Sequence, residues 1–237
     1  DIPLYLRVSA ELYLKRLLVG GLEKVFEIER RFRNEGIDKQ HNPEFTMLES
    51  QWAYADYEDL MDFTEDTLEK LCQEVYGSTD VDWQDYVLSF EKPFDRVRYV
   101  DLVSDRIGFD ILKEKDLEKY RAQFTKEGID APETENYYHF VDEFYKEIIR
   151  PTIIQPTLLY DFPAEMAPLA KRSVTDPRIA ERMQLIAAGM ELNTCYTELN
   201  DPVVQRELFE QQEQDRAAGD DEAQRIDEAY LTAMEYG

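Results

Sequence analysis

The chain has 237 residues, 27 basic and 52 acidic, for a formal charge of −25 at neutral pH. With 43% hydrophobic and 12% aromatic residues it can pack a core, which excludes global disorder. So acidic a surface repels nucleic-acid phosphates unless its cations are gathered locally, and it favours a cationic ligand.

At roughly ~150 residues per domain the length gives one large domain, or one with an insertion. Cys72 and Cys195 form no CxxC pair, which argues against a zinc site or disulfide framework and fits a reducing, cytoplasmic setting. No apolar run approaches the roughly 18 residues of a membrane span, and no signal peptide opens the chain. The start at Asp1, directly in DIPLYLRV, reads as a piece of something longer.

In chain order, LYLRV reads as a strand, and Ser9 caps a helix through AELYLKRLLVGG that Gly20 and Gly21 stop. VFEIERRF sets Phe26, Ile28 and Phe32 on one face and Glu27, Glu29, Arg31 and Arg33 on the other, the period of a half-buried strand. NEGIDKQHNP is a loop. FTMLESQWAYA is the returning strand, with Phe45, Met47, Glu49 and Gln51 on one face. Asp56 caps a long helix with Leu60, Phe63, Leu68, Leu71 and Val75 at helical spacing. Residues 77–134 mix a strand, RVRYVDL, with short charged helices and read as peripheral.

Next, NYYHFVDEFYKEII is a helix ended by Pro151, with His139 a structural residue on it. TLLYDFP is a strand, and MQLIAAGMELNTCYTE a strand pair or a bulged strand. Two acidic helices follow Asp201 and Pro202. The expected fold is α+β, a mostly antiparallel sheet flanked by helices. The expected division is 1–76 (charged hairpin and following helix), 77–134 (inserted segment) and 135–237 (remaining strands and C-terminal helices).

The stretch FRNEGIDKQHNPEFTMLE, Phe32 to Glu49, gathers cations and a histidine in an otherwise acidic chain. It resembles motif 2 of the class II aminoacyl-tRNA synthetases, in the lysyl-type subgroup. The likeness runs through SAELYLKRLLVGGLEKVFEI, AYADYEDLM, DFPAEMAPLAK, GMEL, YTELNDP and AAGDDEAQRIDEAYLTAMEYG, nearly the whole chain. Aspartyl and asparaginyl relatives usually carry glutamine at the place of Glu11 and aspartate at the place of Asn34. The combination of Glu11, RNEG and HNPEFT therefore looks lysyl-like.

The resemblance implies the class II catalytic-domain fold, incomplete at both ends, and ATP-dependent activation of lysine with transfer to tRNA. Activation brings the lysine carboxylate against the α-phosphate of ATP, so two anions must be held together. Arg33 carries the bridging guanidinium role, which a planar fork suits. Glu35 resembles the reader of the adenine amino group, His41 a residue near the terminal phosphates, and Phe45 the ring that stacks on adenine. Glu11, Glu49 and Glu198 resemble the acids around lysine, Glu11 and Glu198 at the ε-ammonium and Glu49 at the α-amine. An ammonium 4 Å from one carboxylate gains ~4 kcal/mol at an effective dielectric of about 20, before desolvation. Gln51, Thr194 and Tyr196 fall in the same amino-acid pocket, and Glu191 and Gln184 at the Mg²⁺ position. A homodimer, and an anticodon-binding domain outside this chain, are implied as well.

Without the resemblance, an Arg/Glu-rich hairpin is a solvated face and any three glutamates among 52 acids are surface residues. The chain also departs from the pattern. Gln184 stands where a second metal-binding glutamate is general, Gln51 where a tyrosine is usual, and Thr194 where an asparagine is usual, with Asn193 one position early. Strict alternation sets Glu191 opposite Thr194, Tyr196 and Glu198, so one pocket requires a bulge. Motif 3, most of motif 1 and the OB-fold are not in the sequence, which leaves this piece short of part of its ATP site and expected to be inactive alone. Two further readings stand beside lysine–tRNA ligation. One is a paralogue loading a lysine-like amino acid onto another acceptor; the other is a non-catalytic binding module.

Overall fold

Alternating apolar and charged residues on both sides of an eleven-residue connection produce a hairpin of β1 (Lys24–Phe32) and β2 (Glu44–Trp52). Its register runs unbroken from Lys24 opposite Trp52 to Phe32 opposite Glu44. The computed structural model describes residues 4–34, 36–37, 41–217 and 226–237, which divide into two compact units. One comprises residues 1–55 and 200–237, the other 56–199.

In the first unit, α1 (Glu11–Val19) lies against β2, and α7 (Glu228–Met234) packs on α1. The Phe209 ring of α6 (Pro202–Ala217) meets Tyr230 edge-on at 6.4 Å. Phe26, Ile28 and Leu48 share the hairpin's outer face and are exposed. LYLRV forms no strand. Its described residues make one backbone bond to β1, from the Phe32 amide to the Arg7 carbonyl at 2.9 Å, and a strand needs a continued ladder.

The second unit opens with α2 (Tyr57–Tyr76), whose N-cap Asp56 forms a reciprocal capping box with Asp59. The helix buries Met61, Thr64, Glu65 and Cys72, while Phe63, Leu71 and Val75 of the expected stripe are exposed. Glu65 sets this rotation by accepting from the Phe94 amide at 3.1 Å and Arg96 Nη2 at 3.0 Å. A short hairpin, β3 (Asp80–Trp83) with β4 (Tyr86–Ser89), follows.

The main sheet has the order β5–β6–β7–β8, from β5 (Asp95–Arg98), β6 (Thr157–Pro163), β7 (Ile179–Ala187) and β8 (Met190–Tyr196). β5 runs parallel to β6 and the other pairs are antiparallel. The RVRYVDL stretch is thus half strand and half helix, because α3 (Tyr99–Ile107) begins at Tyr99. Residues 77–134 are not peripheral. Tyr99, Val103 and Ile107 of α3, with Tyr120 and Phe124 of α4 (Leu117–Glu127), join Phe140 and Phe144 of α5 (Tyr137–Phe144) over Leu159, Phe162 and Ile186. The opposite face, with Leu158, Met183 and Leu185, packs on Met61 and Cys72 of α2. After α5 the chain passes through a π-helical turn (Tyr145–Ile149) and a 3₁₀ turn that contains Pro151. Among the described residues no helix is long and apolar enough to cross a membrane.

Candidate active site

The first unit holds Glu11, Arg33, His41, Phe45, Glu49 and Gln51, and the second holds Gln184, Glu191, Thr194, Tyr196 and Glu198. Glu35 lies outside the described residues. Pairing in β1–β2 follows the period-two reading. Arg31, Glu29, Glu27 and Val25 face Phe45, Met47, Glu49 and Gln51 across the strands, all on one side of the hairpin.

Glu49 is the centre of that wall. Its Oε1 accepts from the Ser9 hydroxyl at 2.5 Å, and its Oε2 from the Ala10 amide and from Arg31 Nε, each at 2.8 Å. Ser9 therefore does more than cap. Its hydroxyl accepts from the Glu11 amide at 3.0 Å while donating to Glu49, and Ala10 occupies the N-cap position itself. Arg31 is 0% exposed and extends the network to Glu27 at 3.2 Å, which also accepts from Arg7 at 2.8 Å. Burial drives the Glu49 carboxyl upward, but the hydrogen bonds from Ser9, Ala10 and Arg31 leave it below the ordinary carboxylate range. Burial likewise lowers the Arg31 guanidinium, and the Glu49 and Glu27 carboxylates more than restore it.

Glu11, the first residue of α1, is paired with Lys15 at 2.6 Å one turn on. Arg33 is exposed just past β1, with its guanidinium 5.4 Å from the centre of the Phe45 ring and its Nε 3.5 Å from the Val8 carbonyl. His41 is exposed at the near end of β2, and Gln51 is half-buried opposite Val25.

In the second unit the required bulge is present. Gln184 faces Thr194 and Leu185 faces Asn193, but Ile186 faces Glu191, so Leu192 is the extra residue. Glu191, Thr194 and Tyr196 thereby come to the face of β8 that Gln184 and Arg182 occupy on β7. Asn193 turns to the other face, where its Nδ2 donates to Thr64 of α2 at 3.1 Å. It does not substitute for Thr194, whose hydroxyl donates to the Met183 carbonyl at 3.2 Å and meets Arg182 Nε at 3.3 Å. Glu198 follows β8 and bridges Ala170.

Gln184 Nε2 donates to Glu191 Oε2 at 2.9 Å, and Gln184 Oε1 is buried with no hydrogen-bond partner. The amide nitrogen faces the carboxylate because an oxygen there would repel it. Glu191 keeps an exposed edge, yet the surrounding protein raises its carboxyl above the ordinary range, opposed by Arg182, Arg150 and Lys146. Among the described residues no three His, Cys, Asp or Glu side chains are grouped to hold a metal.

Sequence reasoning missed two polar hubs. Arg31 registered only as one more cation, although Glu29, Arg31 and Arg33 at alternate positions signal a shared face. Asp161 was not singled out at all. It sits at a positive φ of 61° where β6 shifts register, accepting from Tyr57 Oη at 3.0 Å and Arg98 Nε at 2.8 Å. Within DFP no local signal separates such an aspartate from a surface one.

A charged hairpin with an exposed arginine over a phenylalanine in one unit, and a mostly antiparallel sheet with a bulged carboxylate strand in the other, are features consistent with a class II synthetase domain. The family model for class II tRNA synthetases (D, K and N) matches residues 2–237, and the chain belongs to that family. Within it the chain is similar to curated lysine–tRNA ligases. It is 44% identical over 237 residues to that of Enterococcus faecalis (strain ATCC 700802 / V583), 46% to that of Staphylococcus haemolyticus (strain JCSC1435) and 44% to that of Bacillus subtilis (strain 168). Each match covers 100% of this chain and 48% of the relative, so the chain spans about half the length of these relatives.

Proposed function

We propose that the chain is part of a lysine–tRNA ligase that activates lysine with ATP and transfers it to tRNA. The observation that carries this reading is identity of 44–46% to lysine–tRNA ligases along its entire length. Arg33 bridges the lysine carboxylate and the α-phosphate, where a guanidinium offsets charge that spreads as the new bond forms. Phe45 offers its ring to adenine, His41 approaches the terminal phosphates, and Glu35 reads the adenine amino group. Glu11 and Glu198 are assigned to the ε-ammonium, Glu49 to the α-amine, and Gln51, Thr194 and Tyr196 to further lysine contacts.

Glu191, with the Gln184 amide turned over so that its oxygen replaces the nitrogen beside the carboxylate, would suit a hard cation that arrives with the triphosphate, since Mg²⁺ accepts one or two protein oxygens and takes the rest from phosphate and water. The pair does not suit a cation held by protein alone. When bound, Mg²⁺ offsets phosphate charge. In the family's manner the whole protein acts as a cytoplasmic homodimer.

Charging tests the reading. Radiolabelled lysine supplied with ATP to the full-length protein should appear on lysine tRNA. Label appearing on a protein acceptor instead would favour the paralogue that Gln51 and Thr194 suggest, and label on neither would favour a binding module.

A further inference from the structure

We infer that Arg31 is a positioning residue for lysine recognition, holding Glu49 aimed and anionic for the substrate's α-amine. The inference rests on the role proposed above for Glu49. Arg31 itself touches no substrate, because it is 0% exposed and its Nε, Nη1 and Nη2 go to Glu49, the Arg30 carbonyl and Glu27.

Three donors fix the Glu49 carboxylate in one orientation: Ser9 on Oε1, and Ala10 and Arg31 on Oε2. Ser9 and Ala10 are uncharged donors, so Arg31 is the cation directly bonded to Glu49. A carboxylate has about four acceptor sites. Three are filled from within the unit, which leaves one direction for an ammonium. Without Arg31 the carboxylate keeps two neutral donors, loses its counter-ion inside a half-buried site, and protonates more readily. Among the described residues the charged and titratable groups around this face include Arg31, Glu29 and Glu27 on β1, Arg7 before α1, and Glu11 and Lys15 on α1. Tyr230 of α7 adds its ring 5.9 Å from Lys15. Glu11 is bonded to Lys15 and Glu27 to Arg7, and Arg31 is the cation that adds its charge to the Ser9 and Ala10 hydrogen bonds in holding Glu49 anionic.

Calorimetric titration of the full-length protein with L-lysine and with 6-aminohexanoate, which lacks the α-amine, tests this across pH. The wild-type preference for lysine should be flat at neutral pH and decline on the acid side as Glu49 protonates. Arg31→Gln should move that acid limb up by about one pH unit or more, and Arg31→Lys should restore most of it. Ligand ionisation is common to all variants and cancels. A role in folding alone would weaken both ligands equally and leave the limb in place, and that result overturns the inference. If the wild-type chain shows no preference for lysine, the α-amine role of Glu49 falls. The ¹³C carboxyl titration of Glu49 then decides: a midpoint raised in Arg31→Gln and recovered in Arg31→Lys supports the positioning role, and an unmoved midpoint overturns it.

Discussion

The two hairpins that carry the proposed site are built on opposite plans. In β1–β2 nine consecutive pairs keep register, and Glu27, Glu29 and Arg31 fall at every second position on the face that also carries Glu49. In β7–β8 the register breaks at Leu192, β7 is largely buried, and the turn places Ala188 and Gly189 both at positive φ. Alternation alone therefore names the neighbours in the first hairpin, whereas in the second it assigns Glu191 to the wrong face. The carboxylates differ as well. Donors hold Glu49 below its ordinary pKa, and partial loss of solvent around the carboxyl of the partly exposed Glu191 raises its pKa.

The contrast can be broken most severely at Arg31. Arg31→Met leaves Glu49 and Glu27 without their shared guanidinium, and loss of one partner from a buried ion pair costs about 3–5 kcal/mol. Urea unfolding should show a loss of that size; a loss under about 1 kcal/mol would mean the network is a surface one. In the other hairpin, Gly189→Ala adds a methyl 3.2 Å from the Pro151 Cα at a φ of 72°. Strain and crowding together should cost about 1–3 kcal/mol, read from the thermal midpoint. Asp56→Ala removes the side-chain acceptor of the capping box of α2, leaving the residue-56 amide its bond to Asp59, and should cost about 1 kcal/mol by the same measurement.

Acid titration sharpens the contrast between the two glutamates. The folded pKa of Glu49 is lowered, so its stabilisation is complete above the ordinary carboxylate value near ~4.3 and is lost as pH falls through the folded value. The folded pKa of Glu191 is raised, so its ionisation opposes folding and stability is lost as pH rises from ~4.3 through the folded value. Glu49→Gln should flatten the acid limb of the stability curve, whereas Glu191→Gln should raise the curve at neutral pH. Shifts of the same sign would show that the two environments are alike. The smallest effect on folding is expected at Arg33. Arg33→Ala should alter stability by no more than about 0.5 kcal/mol, because the side chain is exposed.

Local chemistry decided which features were legible in the sequence. The β1–β2 hairpin, the Asp56 cap, TLLYDFP and the β7–β8 pair follow from alternation, a capping aspartate and a turn glycine, all of which act over a few residues. LYLRV has strand composition but no ladder partner, which only tertiary structure reveals. The rotation of α2 depends on Glu65 meeting Arg96 and the Phe94 amide, about thirty residues away, and the apolar spacing alone pointed to Phe63, Leu71 and Val75. The need for a bulge near Glu191 could be deduced from alternation, but its position at Leu192 could not. The Ser9, Glu49 and Arg31 network was invisible because it joins three segments, each ordinary by itself.

Pyrophosphate exchange by the full-length protein, run with each of the twenty amino acids and repeated for Arg33→Ala, tests the proposed activation chemistry most directly. The account predicts exchange with lysine far above the other nineteen, and a fall of at least about 10²-fold on removal of the guanidinium. Exchange of similar strength with neutral amino acids, or near-normal exchange in Arg33→Ala, would contradict it.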